Sequence, residues 1–134
     1  MNFPFEVHTP SRLFFKDLVE AVILTTGDGD IEIMAGHCNC TAPVKTGFLK
    51  IKNSEGKWRN AFTSDGIIEV TQFKTILMSD AVEWGNEIDR NRALEAKAKA
   101  EKSLLNGMMK FETDKAAAAL KRAEFRLKIC GQEK

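Results

Sequence analysis

Four cations carry the most specific chemistry this sequence offers. Arg92 and Lys99 are seven residues apart, and Arg122 and Arg126 are four apart. At about 100° per residue, Arg92 and Lys99 fall on nearly one line of a helix, and Arg122 and Arg126 share a face of another. The first pair borders an alanine stripe, Ala93, Ala96 and Ala100; the second lies beside Ala119. Antiparallel pairing of two such helices would bring some of these cations to one groove. Like charges gathered there repel unless an anion joins them, and phosphate oxygens match the forked donors of arginine. The chemistry is therefore anion binding. A solvated charged edge is the plainer reading, and periodicity alone favours it.

Other groupings carry less. Cys38-x-Cys40 beside His37 suggests a metal, but structural zinc sites use wider spacing and a second close cysteine pair. Loop or core residues is the better reading. His37 and Cys38 as a catalytic pair is weaker still, because sequence neighbours seldom point at one another. The third thiol, Cys130, leaves an odd count, as expected for free thiols. Gly27-Asp28-Gly29-Asp30 lacks the Lys-Ser/Thr of a phosphate loop and reads as a hairpin turn. No catalytic residue and no metal site is assigned.

The elements that must hold the cations follow from composition. Residues 1–85 contain 13 Val and Ile, and residues 86–134 contain two. Alanine runs the other way, five before the boundary and nine after it. Charge splits too, net −3 in the first part and +4 in the second. The first part reads as short strands broken by turns: Phe3–His8, Leu13–Phe15, Val19–Thr25, Ile31–Met34, Phe48–Lys52, Trp58–Thr63, Ile67–Val70 and Thr75–Met78. Val19–Thr25 is apolar enough for burial on both faces. Close, regular spacing suggests an antiparallel sandwich or flattened barrel. From Ile88 to Leu105 there is no Gly, Pro or Val, and Ala93, Ala96, Ala100 and Leu104 recur at helical spacing. Asn106-Gly107 is a stop, and Thr113 or Asp114 can cap a second helix running to about Ile129. Its stripe is Ala116, Ala119, Ala123, Leu120 and Leu127. The fold class is α+β: an N-terminal antiparallel β-sandwich over 1–85, then a C-terminal antiparallel two-helix hairpin over 86–134. Alanines let the helices approach closely but bury little area, so the hairpin is a candidate for an element that exchanges partners.

The whole chain of 134 residues has a net charge of +1 and 43% hydrophobic residues. It can bury a core, and its balanced charge argues against a general nucleic-acid binder. No run is long enough to span a bilayer, and the first residues lack the pattern of a signal peptide. A soluble, intracellular protein is expected.

The order of short motifs along the chain is specific. Thr9-Pro10, Phe14-Phe15, Val19-Glu20, Gly29-Asp30, Gly36-His37, Ala42-Pro43 and Gly47-Phe48-Leu49-Lys50-Ile51-Lys52 follow one another at set distances. Ser64-Asp65-Gly66-Ile67-Ile68-Glu69-Val70 and Ile88-Asp89-Arg90-Asn91-Arg92-Ala93 come next. This frame, over about residues 3 to 129, resembles the epsilon subunit of bacterial F-type ATP synthase. Two departures stand out: Ala35 where the family usually has Pro, and Cys38-Asn39-Cys40-Thr41 in place of a more apolar run.

The resemblance implies a non-catalytic rotor subunit, peripheral on the cytoplasmic face of the bacterial inner membrane. The sandwich would dock on the gamma subunit and the c ring, with the region from Glu32 through His37 and Cys38 to Thr41 as rotor contact. The hairpin would move between a form folded against the sandwich and an extended form near the catalytic beta subunit and its alpha neighbour. The extended form would resist rotation in the direction of ATP hydrolysis. The resemblance also implies an ATP site on the folded hairpin, with no cofactor required. Ile88, Asp89, Arg92 and Ala93 match its motif, Glu83 its preceding acidic residue, and Arg122 and Arg126 its second-helix arginines. Lys99 stands where arginine is expected; it keeps the charge and loses the fork. Asp89 would repel phosphate, so it suits the base or ribose, or else a helix N-cap. Ile88 and Ala93 would pack on adenine or within the hairpin. Competition follows: ATP stabilises the folded hairpin, and without it the cations engage an acidic surface of the beta subunit. One alternative is the same rotor subunit without nucleotide binding. The other is an unrelated thiol enzyme using His37 and Cys38.

Overall fold

Alternating apolar residues bounded by Gly, Asp and Asn build nine strands: β1 (Phe3–His8), β2 (Leu13–Thr26), β3 (Gly29–Met34), β4 (Cys40–Val44), β5 (Gly47–Asn53), β6 (Trp58–Thr63), β7 (Gly66–Val70), β8 (Thr75–Ser79) and β9 (Val82–Trp84). A single 3-10 turn, Gly85–Glu87, leads to two helices, α1 (Arg90–Asn106) and α2 (Lys110–Gln132). The computed structural model describes residues 1–107 and 110–132, with the backbone alone at 110–111 and 131–132. The chain divides into two compact units, Met1–Glu83 and Trp84–Lys134.

The first unit is a β-sandwich. Its strands run in the order β4-β7-β8-β1-β2-β5-β6-β9, and β3 also pairs with β2. The long strand β2 explains how one path makes two sheets. Leu13 to Val19 pairs with β1, while Val19 to Thr26 pairs with β5 and β3, and a register shift lies between Val19 and Ala21. The sequence reading splits this strand in two around Lys16-Asp17-Leu18. Those residues are exposed, yet their backbone stays in the β1 ladder, so local polarity hides a continuous strand. Burial along Val19–Thr25 is also less complete than expected, since Glu20, Ile23 and Thr25 are only half-buried. β4 and β9 are absent from that reading because each is short. β4 is held by pairing with β7, an interaction that local sequence does not reveal. The β1–β8 ladder is parallel, an exception to the antiparallel expectation.

Phe5 and Val7 of β1, Val22 and Leu24 of β2, Leu49 and Ile51 of β5, Ile68 of β7 and Leu77 of β8 are all buried. Each such side chain contributes about 1.5–3 kcal/mol of burial. The buried hydroxyls close on themselves: Thr63 Oγ1 donates to Ser79 Oγ at 3.2 Å, and Ser64 Oγ lies 3.0 Å from Ser79 Oγ. Gly66 is required where β7 meets β8, because a Cβ there would collide with the Met78 carbonyl oxygen.

The second unit holds the helices. Asp89 starts α1 as its N-cap, and Gly107 follows its last residue, Asn106, as the C-cap. α2 begins at Lys110, so Thr113 and Asp114 lie inside its first turns and do not cap it as expected. The helix has high intrinsic propensity on both sides of those residues, and it extends past them. It also runs past Ile129 to Gln132. Ala93 and Ala100 of α1, and Ala116 and Ala123 of α2, are buried, while Ala96, Ala119, Leu104, Leu120 and Leu127 are half-buried. The two helices pack on each other as a hairpin through these small side chains.

Candidate functional site

The hairpin carries a groove of about 730 Å³ beside its alanine seam. Ala96, Lys99, Ala100, Ser103 and Asn106 line it from α1, Gly107 follows, and Glu112, Lys115, Ala116 and Ala119 line it from α2, so one carboxylate shares the groove with two lysines. Helical steps of three and four link Ser103, Lys99, Ala96 and Arg92 on α1, and Lys115, Ala119, Arg122 and Arg126 on α2. Of the four expected cations, Lys99 is the one in the described groove lining. The other three continue the same two lines toward the other end of the hairpin. Lys99 and Arg92 are exposed, and Arg122 and Arg126 are half-buried. Lys115 was not singled out from sequence. Its signal was there, seven residues before Arg122 and so on the same helical line.

The motif at the start of α1 is engaged in its own structure. Asp89 Oδ1 accepts from the Arg92 backbone N–H at 3.1 Å, and Asp89 O accepts from Ala93 N at 3.0 Å. Asp89 is thus a helix N-cap. Ile88 is buried, and its carbonyl oxygen lies 3.8 Å from Cys130 Sγ. Ala93 is buried in the seam. Glu83 is the last residue of the first unit, on β9.

The sandwich presents a second feature that sequence reasoning missed. On its outer face, Pro43 pairs with Ile67, Ile67 with Met78, Met78 with His8, and His8 with Leu13. Ladder partners point to the same side, so Pro43, Ile67, Met78 and His8 form one row across four strands, and a register shift between Val7 and His8 separates it from Leu13. Ile67, Met78 and Leu13 are 48%, 46% and 52% exposed. The next row is polar except for Ile76 at its centre: Thr41, Glu69, Ile76, Glu6 and Lys16. Within it Glu6 Oε1 lies 2.8 Å from His8 Nε2, and Glu6 Oε2 lies 3.3 Å from Lys74 Nζ. The hydrogen bond from His8, then that from Lys74, hold the Glu6 carboxyl below its ordinary value.

A third feature lies at one end of the sandwich. A hollow of about 350 Å³ is lined by Met34, Gly36, His37, Asn39, Phe73 and their neighbours. Met34 is 55% exposed and Phe73 76%. Gly36 takes φ +86°, which turns the chain from β3 into this rim. His37 Nδ1 is 2.8 Å from the Cys38 carbonyl oxygen rather than bonded to a thiol. Cys38 is exposed, Cys40 opens β4, and all three cysteines are free. Glu32 is exposed on β3, and Thr41 on β4. Among the described residues, no three His, Cys, Asp or Glu side chains gather to hold a metal. No helix among them is long and apolar enough to cross a membrane.

Residues 2–85 match the ATP synthase delta/epsilon chain β-sandwich domain, and residues 86–131 the long α-helix domain of the same family. The chain belongs to the ATP synthase delta/epsilon family. Relatives bearing the name ATP synthase epsilon chain agree along nearly its whole length. That of Caldicellulosiruptor saccharolyticus is 48% identical over 96% of this chain and 93% of its own. That of Caldanaerobacter subterraneus is 44% identical over 98% and 95%. The same fold recurs in a chain of the Euglena gracilis mitochondrial ATP synthase, solved with OSCP, F1 and c-ring. The TM-score there is 0.80 at 18% identity, covering 92% of this chain and 78% of that one.

By family and by these relatives, the chain is an ATP synthase epsilon subunit, a non-catalytic member of its complex. His37 and Cys38 therefore form no thiol-enzyme centre.

Proposed function

We propose that this stalk subunit joins the rotor through its sandwich and senses ATP through its hairpin. The outer row with Ile67 and Met78 is the surface for the gamma subunit. The end hollow, with Met34, His37 and Phe73 and the nearby Glu32, Cys38 and Thr41, faces the c ring. Large apolar side chains exposed side by side and rimmed by polar groups suit a protein contact. The complex would lie on the cytoplasmic face of the bacterial inner membrane.

One observation carries the sensing function: the groove beside the alanine seam lies on the two helical lines that hold Arg92, Lys99, Arg122 and Arg126. These cations, with Lys115, supply phosphate donors, while Ile88, Asp89 and Ala93 at the start of α1 set the adenosine end. ATP bound there stabilises the folded hairpin. Without it, the hairpin extends toward the catalytic beta and alpha subunits, and its net +4 engages an acidic surface and resists hydrolytic rotation. A ligand selective for one state shifts the population by its differential affinity.

Thermal melting of the purified chain tests the sensor. A nucleotide that binds only the folded form stabilises by about 2.7 kcal/mol at a hundred times its dissociation constant. The melting temperature should rise with ATP in the wild type, and rise little in Arg122→Ala and Arg126→Ala. No shift at millimolar ATP leaves the rotor subunit without nucleotide binding.

A further inference from the structure

The hairpin is packed unevenly along its length. Residues 86–134 hold two isoleucines and no valine, and both Ile88 and Ile129 are buried, at 7% and 0% exposure. The other buried apolar side chains of α1 and α2, among the described residues, are alanines: Ala93, Ala100, Ala116 and Ala123. A buried isoleucine removes far more apolar surface from water than an alanine methyl does. Ile88 directly precedes the α1 N-cap, and Ile129 lies in the last turn of α2. Both large contributions therefore sit at the end of the hairpin that joins the linker. The Asn106-Gly107 end has the opposite character. There the groove of about 730 Å³ opens beside the seam, and Leu105 is 87% exposed.

Hydrogen bonds also tie the linker end. The Trp84 N–H donates to Glu87 Oε1 at 3.2 Å, and the Ile88 N–H to the Gly85 carbonyl oxygen at 3.4 Å. These bonds fix the Ile88 backbone, whose carbonyl oxygen accepts from Cys130 Sγ at 3.8 Å. That contact joins the start of one helix to the end of the other. The 3-10 turn Gly85–Glu87 packs on α2 as well. A thiol is a weak donor, so the two isoleucines supply the strength and the thiol contact marks where the ends meet.

We propose that Ile88, Ile129 and Cys130 form a latch at the linker end of the hairpin. The helices part first at the Asn106-Gly107 end, and they separate fully only when Cys130 leaves the Ile88 carbonyl. This rests on the hairpin being the element that opens, and it names what holds the folded form; the latch itself needs no nucleotide.

Hydrogen exchange of the full chain tests it. Amides at 97–103 and 114–119 should exchange at least about tenfold faster than those at 93–96 and 123–130, because parting from the loop end frees them while the latch still holds. That order is the reverse of ordinary fraying at a chain terminus. Ile129→Val removes one carbon from the latch. It should speed exchange at 93–96 and 123–130 by about two- to tenfold and leave 97–103 and 114–119 unchanged. Cys130→Ala should act in the same direction at the same amides. Equal exchange at both ends of the wild-type hairpin, or an Ile129→Val effect spread evenly along it, overturns the latch. Adding ATP to the same samples bears on nucleotide sensing alone. Rates unmoved by millimolar ATP would remove the sensor, while the order of exchange without ATP still decides the latch.

Discussion

Asp89 and Arg92 are joined within the backbone of α1: the Asp89 carboxylate accepts the Arg92 amide at 3.1 Å. The acidic residue of the proposed nucleotide site is thus the one that starts the helix carrying Arg92 and Lys99. One side chain fixes where the helix begins, two turns before the groove lining opens at Ala96.

Substitution separates these two roles. Asp89→Ala should cost about 1 kcal/mol of hairpin stability through loss of the cap. Asp89→Asn keeps an acceptor for the Arg92 amide, so its melting temperature without nucleotide should stay near that of the wild type. If Asp89 also contacts the ribose or base, Asp89→Asn should still show a reduced ATP-dependent rise. An equal rise in Asp89→Asn and wild type would restrict this residue to capping.

Lys99 tests the phosphate geometry. It lines the groove as a point charge, whereas a guanidinium could bind two oxygens at once. Lys99→Arg should tighten ATP binding by about 1 kcal/mol, near fivefold, by calorimetric titration. Lys115→Ala should weaken it, because Lys115 enters the same groove from α2.

Gly66 tests the sandwich. Its missing Cβ makes room for the Met78 carbonyl oxygen, a backbone atom that cannot swing aside. Gly66→Ala should destabilise the chain by about 1–3 kcal/mol, read as a lower urea midpoint with an unchanged slope. Because β7 and β8 hold Ile67 and Met78 in the outer row, binding to the rotor partner should weaken in the same variant.

Glu6 gives the chain a defined acid response. Its carboxyl titrates below the ordinary 4.5 because His8 and then Lys74 hold its charged form. That contribution to stability is complete above the unfolded value and disappears as pH falls through the lower folded one. Glu6→Gln should therefore be less stable than the wild type at neutral pH, with the difference vanishing in strong acid. Urea melts at a series of acidic pH values would show the two curves converge.

Much of this was legible locally. The switch from β-branched residues to alanine marked a sandwich followed by a helix pair, and the stop at Asn106-Gly107 follows from helix-ending chemistry. The lines holding Arg92 and Lys99, and Arg122 and Arg126, followed from the helical repeat. Thr113 and Asp114 misled because capping residues do not end a helix when the residues before them also favour one.

The amino-acid order by itself determined the strand-rich and alanine-rich halves, their opposite charges and the family frame, since these depend on composition and on spacing along the chain. Tertiary structure decided what those residues face. Pro43, Ile67, Met78 and His8 come from four separate strands, and only cross-strand registration makes them one row. Met34 and Phe73 share a hollow although almost forty residues separate them. Lys115 joins Lys99 because α2 folds back along α1. Long-range pairing has no local sequence signal, and these surfaces are made entirely of it.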